Sequence, residues 1–74
     1  MSPVEFFVVY DSPSDYPGRF VVRRFVSTAG RVVPDPEPVA VTSTLEIARE
    51  VIPIGLVRLS PRPDDDQAIS EVWL

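Results

Sequence analysis

The sequence predicts a small α+β domain, a mainly antiparallel sheet of four to five strands with one amphipathic helix packed on one face, in the order β-β-(β)-α-β-β. Three observations carry that expectation. Short runs rich in valine, leucine and aromatic residues recur at residues 4–10, 19–27, 56–59 and 69–74, with proline, glycine, serine and aspartate between them. One stretch alone, around residues 43–52, spaces its apolar residues at the helical period. The turn chemistry between the first runs suits short reversals, which join antiparallel neighbours.

The first run, V-E-F-F-V-V-Y, is ended by Asp11-Ser12-Pro13, and its length and β-branched and aromatic content favour a strand. Residues 12–18 hold two prolines and read as a structured loop to an antiparallel partner. Within it, Pro17 presets φ and Gly18 supplies the positive φ of a type II turn at Tyr16-Pro17-Gly18-Arg19. The strand that follows carries Phe20, Val21, Val22, Phe25 and Val26, and its adjacent Arg23 and Arg24 place one guanidinium on each face. Thr28-Ala29-Gly30-Arg31 marks the next turn, with Gly30 left-handed, and residues 31–33 return as a short third strand.

Pro34-Asp35-Pro36-Glu37-Pro38 disfavours both helix and ladder and reads as a stiff, polyproline-like connector. An extended register resumes at residues 39–41. Ser43 and Glu46 then form a capping box, with Thr42 or Thr44 taking the cap if the boundary moves by one. At about 100° per residue, Leu45, Ile47, Ala48, Val51 and Ile52 share an arc of roughly 160°, while Glu46, Arg49 and Glu50 face solvent. Pro53 and Gly55 stop the helix near Val51, after about two turns, so the sheet must hold it. Residues 56–59 and 69–74 supply the last two strands. Asp64-Asp65-Asp66 between them lacks the spacing and glycine of a calcium loop and reads as a solvated acidic turn.

The 74 residues make one domain, 1–74, of a size whose single core gives net stability on the order of 3–5 kcal/mol, so help from a partner subunit is expected. Cysteine and histidine are both absent, which removes disulfides, thiolate metal sites and the commonest general base. All seven basic residues are arginine, in keeping with a GC-rich genome, and the net charge is −4. That balance places nucleic acid well behind protein as a partner. The N-terminus has no signal-peptide pattern, and its apolar run falls far short of the roughly 20 residues a bilayer needs, so the expected location is cytoplasmic, away from membranes.

Without His, Cys or Lys, a Ser or Thr nucleophile has no strong base beside it, and no phosphate loop or catalytic signature appears. The expectation is a non-enzyme with no cofactor and no metal. Phe6, Phe7, Tyr10, Tyr16, Phe20, Phe25 and Trp73 are too many for one short helix to cover, so some should lie on the open sheet face, where aromatics beside arginine resemble a protein interface. The leading reading is a protein-interaction module that self-associates, as a homodimer, or binds a protein partner through that face. The alternative is binding of an anion or single-stranded nucleic acid through Arg19, Arg23 and Arg24, flanked by Tyr16 and Phe25. Arg23 and Arg24 have a structural explanation too, in pairing with Glu5, Glu71 or Asp11 on neighbouring strands.

Asp15-Tyr16-Pro17, Phe20-Val21-Val22-Arg23-Arg24, Pro36-Glu37-Pro38, Gly55-Leu56-Val57-Arg58-Leu59 and Glu71-Val72-Trp73 together resemble a group of short uncharacterised bacterial proteins with prophage-associated members. The resemblance spans nearly the whole chain. It implies a self-contained small protein and brings no activity, substrate or site residue with it.

Overall fold

A computed structural model describes residues 3–63 and 65–74. Asp64 of the acidic run, and Met1 and Ser2 of the N-terminal run, lie outside the described residues. The long apolar runs form β1 (Val4–Asp11) and β2 (Phe20–Thr28), paired antiparallel with Val9 opposite Val22 and Phe7 opposite Arg24. The turn between them has the expected form: Gly18 has φ +75°, and the Arg19 amide donates to the Tyr16 carbonyl at 3.3 Å. Ser12 closes the loop base, its hydroxyl accepting from the Gly18 amide at 2.6 Å and its own amide donating to the Arg19 carbonyl at 2.8 Å.

The sheet has six strands, more than the four to five expected. β3 (Arg31–Pro34) pairs with the C-terminal half of β2, and the additional strand, β4 (Ala40–Thr42), pairs with its N-terminal end. Both lie along one edge. The proline-rich connector links them, with the Asp35 amide donating to the Arg24 carbonyl at 2.9 Å and the Val39 amide to the Val22 carbonyl at 2.7 Å. Pro36, Glu37 and Pro38 bulge between these two bonds, since proline has no amide hydrogen to give. On the other side of β1 lie β6 (Ile69–Trp73) and then β5 (Arg58–Leu59), giving the order β3-β2-β1-β6-β5 with all five pairings antiparallel.

The helix α1 (Leu45–Glu50) is six residues long, shorter than the expected two turns. Its cap is Thr44 rather than Ser43: the Thr44 hydroxyl accepts from the Ile47 amide at 3.2 Å, and the buried Thr42 hydroxyl donates to the Thr44 carbonyl at 2.9 Å. The Thr42 bond, made from the end of β4, fixes where the strand stops and the helix begins. Ala48 and Ile52 pack on Phe7, Val9 and Val22, with Phe20, Leu45, Leu56 and Trp73 around them. Ile47 and Val51 were expected on the packed face, but the helix is too short to lay a wide stripe on the sheet, and both are exposed.

What holds α1 down is a carboxylate. Glu71 is 5% exposed on the helix side of β6, and Arg49 of α1 grips it through two guanidinium nitrogens. Arg58 of β5 donates to the same carboxylate at 3.3 Å and the Trp73 indole N–H at 3.2 Å. The sequence places Arg49 on the solvated side; its long stem instead reaches back to the sheet while the head stays partly wet. Hydrogen bonds from Arg49, outweighing burial, hold the Glu71 carboxyl below its ordinary value of 4.5. A folded-state value below the unfolded one means that the unfolded chain binds the proton more tightly, so this stabilisation is present above about pH 4.5 and lost as pH falls through the lowered value.

The β2–β3 turn carries strain. Ala29 and Gly30 both have positive φ, +50° and +79°, the pattern of a type I′ turn, which suits Asn-Gly far better than Ala-Gly. Ala29→Asn should therefore raise unfolding free energy by about 0.5–1 kcal/mol in chemical denaturation. Glu71→Ala should cost about 2 kcal/mol at neutral pH, less than for a fully buried pair because Arg49 and Arg58 can turn to water. Glu71→Gln should flatten the fall in stability below pH 4.5 that denaturant titrations of the parent chain are expected to record.

Candidate functional site on the open sheet face

Strand alternation and register sort the side chains into two sets. Phe7, Val9, Phe20, Val22, Arg24, Glu71 and Trp73 point toward the helix. Phe6, Val8 and Tyr10 of β1, with Val21, Arg23 and Phe25 of β2, point to the open face, joined by Leu59 and Val72. A bulge at Ser70 keeps this sorting intact through the last strand. Val9 faces Glu71 but Tyr10 faces Ile69, so one extra residue lets Glu71 stay under the helix while Ile69 turns outward.

Phe6 and Phe25 are direct cross-strand partners, and their rings stack in parallel with centroids 5.2 Å apart. Beside them is a mainly apolar pocket of about 430 Å³, floored by Val8, Val72 and Ile69 and walled by Leu59, Ser60, Arg62 and Asp65. That volume lies within the range of sites that accept a side chain or small ligand. The loop after β5 is braced locally to form its wall: the Asp65 carboxylate accepts from the Arg62 amide at 2.8 Å, and Asp66 accepts from the Ala68 amide at 2.9 Å.

Tyr10 separates this pocket from a polar recess of about 330 Å³ bordered by Ser12, Ser14, Asp15, Arg23 and Asp66. Burial raises the Tyr10 phenol above its ordinary value of 10.0; Arg23 opposes the rise, and Asp66 and Asp15 add to it. The phenol is therefore neutral and able to donate a hydrogen bond across the physiological range. Arg23 is held by Asp15 at 2.9 Å, an acid in the preceding loop rather than on a neighbouring strand.

The sequence-derived candidates are thus divided. Arg23 and Phe25 share the open face, whereas Arg24 lies on the opposite face, bonded to Glu5 at 2.8 Å and to Asp35 at 3.2 Å. Glu5 is one of the acids expected to meet the strand arginines. Hydrogen bonds that Arg24 donates to Glu5 and then to Asp35 strengthen its hold on its proton. Glu71, another of those acids, lies on β6, beyond β1 from β2, and takes Arg49 and Arg58 instead. Arg19 is exposed at the end of the first turn and forms no ion pair among the described residues, and Tyr16 is half-buried in that turn. Among the described residues no group of three metal-ligating acids comes together, and no helix is long and apolar enough to cross a membrane.

Val8, Tyr10, Leu59, Ile69 and Val72 join the site, and of these only Tyr10 stands among the aromatics that the sequence offers for the open face. The signal for the first two was there, in the period-two spacing of Phe6, Val8 and Tyr10. Leu59 and Ile69 needed the pairing register. Tyr10→Phe should remove a phenol titration lying above 10 from the absorbance of the folded chain, and the stability which the buried neutral phenol adds should be lost in the parent as pH rises through that value.

No family model, curated protein or solved structure matches this chain, and the resemblance to short bacterial proteins rests on the quoted residues alone.

Proposed function

We propose that the chain is a non-enzymatic protein-interaction module that works through the open face of its sheet. The observation that carries this reading is the composition of that face. Apart from Arg23, Ser27 and the Tyr10 hydroxyl, its paired strand residues are apolar. Val4, Val32 and Val41 fall on it by register, and Val57 and Leu74, which exchange backbone hydrogen bonds at 3.0 Å, extend the alternation of Leu59 and Val72. These five residues and Leu59 are between 41% and 63% exposed. Scattered apolar residues are ordinary on a protein surface; here they border both margins of a face whose middle holds an aromatic pair, a pocket and the buried Val8 and Val21, a grouping that interaction surfaces have.

The anion-binding alternative has less behind it. Arg23 and Arg24 are on opposite faces, and each already answers a carboxylate, so a phosphate or nucleotide would have to displace an existing partner.

The reading separates folding from binding at particular residues. Val57→Asp and Leu59→Asp should each change unfolding free energy by less than about 0.5 kcal/mol, as surface substitutions do, while reducing binding of an apolar fluorescent dye. A loss of about 2 kcal/mol or more at both positions, with dye binding unchanged, would mean that these side chains serve the core and not an interface.

A further inference from the structure

We infer that the occupant of the open face is a second copy of this chain, two sheets packing face to face about a two-fold axis; this rests on the reading of that face as an interaction surface. Size is the first argument. The strand residues, each covering about 4.8 Å by 3.4 Å, give a sheet of roughly 500 Å² in projection, with Val8 and Val21 of this face already buried within it. That is smaller than the roughly 800 Å² per partner of a specific stable interface and suits a pair that forms and dissociates with concentration.

Charge is the second. Two molecules of net charge −4 repel unless their acids point away from the contact. Glu46 and Glu50 are on the helix, Glu5 and Glu71 point to the helix side, and Asp35 and Glu37 lie in the edge connector. Around the open face the signs are mixed, Arg23 and Arg62 against Asp15, Asp65 and Asp66. A surface bearing both signs can match itself under a two-fold rotation, where a one-sign surface cannot.

Shape is the third. The face has a hollow, the pocket beside the Phe6–Phe25 stack, and ridges of exposed Val57, Leu59 and Leu74 next to it. A self-complementary interface needs both on one surface, because each copy must supply what the other receives. Apposition would also bury more apolar surface around Val8 and Val21, the residues of this face that the chain already buries.

Sedimentation equilibrium of the full chain from low to high micromolar concentration should show a monomer–dimer equilibrium, with a melting temperature that rises with protein concentration. Leu59→Asp should weaken dimerisation about tenfold or more, whereas Glu46→Gln on the helix side should leave it unchanged. Raising salt to near-molar should shift the dissociation constant by no more than about threefold, since the contact is mainly apolar. A dimer insensitive to Leu59→Asp and to Val57→Asp would place the contact elsewhere and overturn the inference. So would a monomer at every concentration. In that case, dye binding that Leu59→Asp abolishes would leave an interface for a different protein, and no dye binding would remove the interaction reading as well.

Discussion

The Glu71 carboxylate is the constraint on which the arrangement of this chain depends. A six-residue helix has almost no stability of its own, because the nucleation cost of its first turn is recovered over only a few bonds. Apolar contact through Ala48, and through Ile52 just past its end, holds one small patch of it. Glu71 adds directional bonds, accepting from the helix through Arg49, from β5 through Arg58 and from its own strand through Trp73. One buried anion thus ties together three elements far apart in sequence. No buried side-chain polar atom among the described residues is left without a partner, the condition under which a buried charge is tolerable.

Anchoring the helix on one face decides what happens on the other. Each strand has two faces, and the chain has one helix, so whatever apolar side chains alternate away from α1 must be covered by loops or left exposed. The loop after β5 covers part of that surface and makes the pocket. The exposed valines and leucines at both margins are what remains.

Much of the fold was legible in the sequence, and the gaps have local causes. The strong runs became β1, β2 and β6 almost as expected, because strand-forming composition and turn chemistry agreed. β4 was legible as extended chain but not as a strand, because three residues wedged between a proline run and a helix cap carry no period, and only the free edge of β2 pairs them into the sheet. The cap moved to Thr44 because the side chain of Thr42 bonds forward to it. Face assignment for the arginines was readable from parity, but their partners were not. Asp15 and Asp35 sit in loops whose course is set by the turn at Gly18 and the bulge at Pro36, and the Arg49–Glu71 contact needs both register and helix placement. The pocket likewise depends on the extra residue at Ser70, which no alternation pattern announces.

The prolines at the sheet margins bear on assembly in a way that pocket and core do not. A sheet of this kind has two free edges, and an open edge invites another strand to extend the ladder without limit, which is the geometry of fibril growth. Here one edge is interrupted by Pro34, Pro36 and Pro38, and the other is a two-residue strand running into Pro61 and Pro63. Neither offers a continuous row of amide hydrogens. If two copies pair through the face as proposed, that contact would use up the surface that makes it, and growth would end with a closed pair and not a filament.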